Sequence, residues 1–102
     1  MSSEEEKITA EIISGNFDLE LTSKDTETFE KFRELLIDKL NFLLDHDFEK
    51  LLWILYRIDV SEVKAKASLA EKSDYSPAEI LADLIIERQK EKVKTRLKYR
   101  KD

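Results

Sequence analysis

Apolar residues recur at steps of three and four along most of this chain, the spacing of one face of a helix. The plainest case is Phe29, Phe32, Leu36, Leu40 and Leu43, with Leu35, Ile37 and Leu44 widening the stripe. A stripe that wide predicts a central helix, from about Asp25 to Leu44, that touches more than one neighbour. Thr22 or Ser23 is placed to cap it, and Asp25 and Glu27 suit its positive N-terminal end. Asp45-His46-Asp47 breaks the pattern. Asp47 can then cap a second helix, from Asp47 to Ile58, with Phe48, Leu51, Leu52, Leu55 and Ile58 along it. Trp53, Ile54 and Tyr56 extend its apolar surface almost all round. Such a helix is buried on every side, or a partner chain covers its extra face.

Asp59-Val60-Ser61-Glu62 has capping-box spacing, with Asp59 at N-cap and Glu62 at N3. The helix it opens has a thin apolar face of Val63, Ala67 and Ala70, with Leu69 at the edge. Lys72-Ser73-Asp74-Tyr75 is a polar loop. Ser76-Pro77-Ala78-Glu79 is the strongest local signal: Ser at N-cap, Pro at N1 and Glu at N3. The helix that follows is predicted over Pro77 to Arg96 and has no breaker before residue 100. Its stripe is Ala78, Ala82, Ile85, Ile86, Gln89, Val93 and Leu97, and it thins after Ile86.

Residues 3 to 22 admit two readings. Ser3 with Glu6 matches a capping box, Ile8 and Ile12 share a helical face, and Gly15 sits where a C-cap would. Phe17, Leu19 and Leu21 also alternate with Asp18 and Glu20, as a strand would, and Gly15-Asn16 could turn a hairpin. The helix is preferred, with Phe17 to Leu21 as an extended connector.

Composition supports helices throughout. The chain of 102 residues has one Gly and one Pro, too few for the turns of a β-rich fold. Its hydrophobic fraction of 41% is enough for one modest core. The expected fold is all-α, a single domain of four or five helices in one bundle with a long C-terminal helix. No Cys is present, so disulfides, thiolate chemistry and Cys-based zinc sites are excluded. The acidic start, Met1-Ser2-Ser3-Glu4-Glu5-Glu6, is not a secretory signal, and no apolar run approaches a membrane span. A cytoplasmic, soluble protein without membrane contact is expected.

Charge changes the picture at one end. Glu87 to Asp102 holds eight Lys/Arg against three Asp/Glu, while the preceding residues hold ten against twenty. An acidic body thus joins a basic, projecting helix end, 87–102. This polarity suits contact with macromolecules better than chemistry on a small substrate.

Two segments carry a resemblance. One is Asp47-Phe48-Glu49-Lys50-Leu51-Leu52-Trp53-Ile54-Leu55-Tyr56-Arg57-Ile58-Asp59-Val60-Ser61-Glu62. The other is Leu84-Ile85-Ile86-Glu87-Arg88-Gln89, with Lys92, Thr95 and Arg96. They resemble a group of short uncharacterised bacterial helical proteins with "DF..L..ILYRIDV.E" and "LIIERQ..K..TR" segments. The likeness covers about half the chain. It implies a helical, stand-alone bacterial domain and no assigned activity.

Candidate chemistry is sparse. Asp45-His46-Asp47 could supply metal ligands, but adjacent residues point apart and further donors are scattered, so a helix joint is expected and no metal or cofactor. The chain has a single His and neither a Gly-rich phosphate loop nor a Ser/His/Asp arrangement, so it is not expected to be an enzyme. Arg57 is expected to pair with Glu87 or Asp59 in a network joining the second and last helices. The rival is an anion pocket of Tyr56, Arg57 and Arg88. Trp53 and Tyr56 are core residues or interface anchors. The leading expectation is a protein-interaction or regulatory module, a homodimer with Trp53, Tyr56, Val93 and Leu97 at its interface. The alternative is a nucleic-acid-associated regulator using Lys90, Lys94, Lys98 and Arg100. A sensor with a small-ligand pocket near Tyr56 and Arg57 is a third class.

Overall fold

The computed structural model describes residues 4–19, 29–70 and 74–99. Within them the chain forms five helices: α1 (Glu4–Phe17), α2 (Phe29–His46), α3 (Phe48–Arg57), α4 (Glu62–Ala70) and α5 (Pro77–Tyr99). There is no strand among the described residues, and no described helix is long and apolar enough to cross a membrane. The expected all-α bundle with a long last helix is what folds. Expected features at Ser3, Thr22 to Glu27, Lys72, Ser73 and Arg100 lie outside the described residues.

The long helix α5 is the central strut. It packs against α1, α2 and α4, while α3 packs on α2 and α4. Arg33 pairs with Asp83 through two hydrogen bonds of 2.9 and 3.2 Å, and Lys90 lies over the Phe29 ring. As residue number rises along α2 it falls along α5, so the two helices run antiparallel. The core closes on Phe17, Phe32, Leu36, Leu40, Leu51 and Ile85. Apart from Phe17, these are the apolar positions that helical spacing selects, so burying the stripes is what draws the helices together.

Local signals set the helix ends. At α5, the Ser76 Oγ accepts from the Glu79 backbone N–H at 3.3 Å and donates to its carboxylate at 3.2 Å, so the Ser-Pro-x-Glu start holds. Asp47 caps α3 by accepting from the Lys50 N–H at 3.2 Å. Two helices end in the same way. In α1 the left-handed residue is Asp18 (φ 55°), and the Leu19 N–H returns to the Ser14 carbonyl. In α3 it is Asp59 (φ 61°), with the Val60 N–H returning to Leu55 and the Asp59 N–H to Tyr56. These closures are Schellman motifs with Asp where Gly is commonest.

The closures correct several expectations. The helical reading of the N-terminal segment holds and the hairpin does not form. Gly15 lies inside α1, whose stop comes three residues later at Asp18, and Phe17 is the buried end of the helix and no connector. Asp59 ends α3 and does not cap α4. Ser61 caps it, its Oγ accepting from the Lys64 N–H at 3.2 Å. The inner face of α4 is accordingly Ala65 with half-buried Leu69, and Val63, Ala67 and Ala70 face outward.

Candidate functional site

The two segments set apart in the sequence meet in a polar clamp. A helix C-terminus leaves backbone carbonyls without partners. At the end of α3 they are met by side chains of α5. The Gln89 Nε2 donates to the Ile58 carbonyl at 2.8 Å, and the Arg88 Nε donates to the Asp59 carbonyl at 3.3 Å. Lys92 Nζ reaches the Asp59 carboxylate at 2.9 Å. Gln89 is 2% exposed, so its amide is committed to this contact. The hydrogen bond from Lys92 holds the Asp59 carboxyl below its usual range. The nearby Lys92 and Arg88 charges add to this, and slight desolvation opposes it.

A network does join α3 to α5, then, but not through the expected residues. Arg57 points outward and stacks on Trp53, 5.3 Å from the ring centroid. Glu87 is exposed on α5. Arg88 and Asp59 belong to the clamp. The expected anion pocket does not assemble, since Arg57 lies on the outer side of α3 and Arg88 is held by the Asp59 carbonyl and by Glu91 at 3.5 Å. Gln89 is the residue that sequence reasoning undervalued. A Gln inside an apolar stripe is itself a signal that a buried partner awaits it.

The outer side of α3 is unusual. Trp53 is 60% exposed, Tyr56 82% and Phe48 51%. The reading of Trp53 and Tyr56 as core is thereby overturned. Leu51, Ile54, Leu55 and Ile58 fill the inward arc, and among the described residues no second arc of protein lies across the helix. At about 100° per residue, Phe48, Leu52, Tyr56 and Trp53 lie within roughly 140°, with exposed Glu49 between Tyr56 and Trp53. Beside this face, a groove of about 300 Å³ opens between α3 and α4. Phe48, Leu52 and Tyr56 form its α3 wall, Ala65 and Leu69 its α4 wall, and Leu81 lies among its apolar lining, with Glu62 and Lys66 at the polar rim. The expected pocket near Tyr56 and Arg57 meets this groove at Tyr56 alone, since Arg57 is not in its lining. The α4 wall was not anticipated, because the outward placement of Val63, Ala67 and Ala70 leaves only Ala65 and Leu69 to fill the space. The spacing of Leu69 four residues after Ala65 is the signal that could have shown it.

Val93 and Leu97 are not part of this surface. Val93 is 1% exposed and Leu97 half-buried, both on α5, so Val93 is spent within the chain. Of the basic residues, Lys90 pairs with Glu6 at 3.6 Å and lies 4.7 Å over the Phe29 ring, which ties it to the body. Lys94 and Lys98 are exposed. Asp45-His46-Asp47 is a helix joint. The His46 ring lies 4.7 Å from that of Phe42, and Asp47 is occupied as a cap. Among the described residues no group of three or more His, Asp or Glu is placed to hold a metal ion. Compared with known protein families, curated proteins and solved structures, the chain matches none.

Proposed function

We propose that this protein is a small interaction module that pairs with a second copy of itself through the aromatic face of α3 and the adjoining groove. One observation carries the reading: Phe48, Trp53 and Tyr56 stand in solvent on one side of α3, although the chain buries Leu51, Ile54, Leu55 and Ile58 of the same helix. Contiguous exposed aromatics mark interaction surfaces. Scaling roughly 150–250 Å² per aromatic side chain by those exposures gives roughly 300–480 Å². That is about half of the ~800 Å² that each partner contributes to a standard interface. The groove walls and α4 supply further area.

Charge favours a second copy over a strongly charged partner. Residues 47–70, which hold both helices, carry four acidic and four basic side chains, while the whole chain is at −5. The face is therefore neutral, and two copies can abut without the repulsion their acidic bodies would impose elsewhere. In a two-fold interface, Arg57 and Lys66 of one copy can meet Glu49 and Glu62 of the other.

Trp53 is the sole Trp, so fluorescence reads this face directly. On serial dilution the emission is expected to shift from a buried, blue position to a solvated, red one as the dimer parts. Solvated emission that does not change with concentration would remove the proposal.

A further inference from the structure

After Val93 the long helix leaves the core. Every described residue beyond it is exposed except half-buried Leu97. From Lys92 to Lys101 the sequence has six cations and no carboxylate. The cations nearer the body are engaged: Arg88 and Lys92 in the clamp, Lys90 with Glu6. Lys94, Arg96 and Lys98 are exposed and have no ion pair among the described residues. Tyr99, 77% exposed, stands with them.

Their arrangement is ordered by the helix. Val93 and Leu97 mark its inward side. At 100° per residue, Lys98, Thr95 and Tyr99 follow one another on the opposite side, with Lys94 and Arg96 at its two edges. An aromatic ring is thus flanked by cations on a surface that no other described helix covers. Tyr99 lies about 9 Å along the axis from Val93. The Debye length at physiological salt is about 8 Å, so the field of the acidic body is largely screened at this tip and the local cations dominate.

We propose that the last two turns of α5 bind single-stranded nucleic acid, with Lys94, Arg96 and Lys98 on phosphates and Tyr99 stacked on a base. Cations that follow the backbone beside an aromatic that takes a base are the elements of single-strand recognition. An acidic protein segment would use the cations and leave the exposed ring unexplained. This surface is separate from the α3 face, and neither reading depends on the other.

The test is fluorescence anisotropy of a short labelled thymidine oligonucleotide with the full-length protein over a range of salt. Three phosphate contacts predict that log K falls with log salt at a slope of about −2 or steeper, at roughly −0.7 per contact. Replacing Lys94 and Lys98 together by Gln makes that slope shallower by about 1.4. Tyr99→Ala lowers affinity about fivefold or more and leaves the slope unchanged, since stacking releases no counterion. All three side chains lie beyond the last buried residue, and circular dichroism checks that the helices persist. The proposal is overturned by absence of binding at low salt, by a Tyr99→Ala variant as tight as the parent, or by polyglutamate binding more tightly than the oligonucleotide.

Discussion

Gln89→Leu isolates the clamp between α3 and α5. The substitution nearly conserves volume, so packing around position 89 is kept. It removes the 2.8 Å hydrogen bond to the Ile58 carbonyl. Because Gln89 is buried, water cannot readily take over as donor, and the carbonyl at the end of α3 loses its partner. Leaving a buried acceptor unpaired costs about 1–3 kcal/mol. Domains of this class have only about 5–15 kcal/mol in total, so the loss is a large share. For chains of about this length, 1 kcal/mol moves the thermal midpoint by about 4–8 °C. A cost near the middle of the range therefore lowers it by about 8–16 °C. Thermal unfolding followed by circular dichroism measures the drop. Lys92→Met is the control. It removes only the partly exposed pair with Asp59, and its midpoint should move far less. A Gln89→Leu midpoint within about 2 °C of the parent would refute the claim that this bond ties the two helices together, given the conversion above.

Two further outcomes follow from the helix ends and the one glycine. Gly15 lies in the last turn of α1 with no positive φ, and a methyl group there would meet nothing within 4 Å. Gly15→Ala should stabilise by about 0.5–1 kcal/mol through backbone entropy, and a fall in thermal midpoint would contradict that placement. Asp59 has a lowered carboxyl pKa in the folded chain, so its contact with Lys92 favours the fold while the group is ionised. That contribution is whole above the usual carboxylate range and is lost as pH falls through the lowered value. The difference in thermal midpoint between the parent and Asp59→Asn should shrink on acidification. A difference that stays constant into strong acid would refute the linkage.

What could be read from the chain follows from where local rules act alone. Ser76-Pro77 fixes the phase of α5, and the residues one helical face away, Ala78, Ala82, Ile85, Ile86, Gln89 and Val93, are all buried. The stripe of α2 was equally plain, since Phe32, Leu36, Leu40 and Leu43 fill the core. The end of α3 at Ile58 was plain, but the stop of α1 and the role of Asp59 were not. Asp in the left-handed conformation resembles an N-cap by composition, and only the backbone return to Ser14 or Leu55 tells the two apart. Mistaking Asp59 for a start also hid the inner face of α4, and with it the α4 wall of the groove. The aromatic face of α3 was visible as an excess of apolar residues. Whether that excess was core or surface depended on how many neighbours α3 would have, which is a property of the assembled bundle. Val93 shows the converse: a lone apolar residue in a polar stretch, read as interface, is instead where α5 meets the body of the chain.

The central claim is that the α3 face joins two copies, and sedimentation equilibrium tests it most directly. The parent should show an average mass approaching twice the 12.0 kDa of one chain as concentration rises. A Trp53→Ser, Tyr56→Ser variant should remain monomeric over the same range with unchanged helix content, since hot-spot aromatics each cost about 2 kcal/mol or more when truncated. A parent that stays at 12.0 kDa throughout, or a variant that associates as strongly as the parent, would contradict the account.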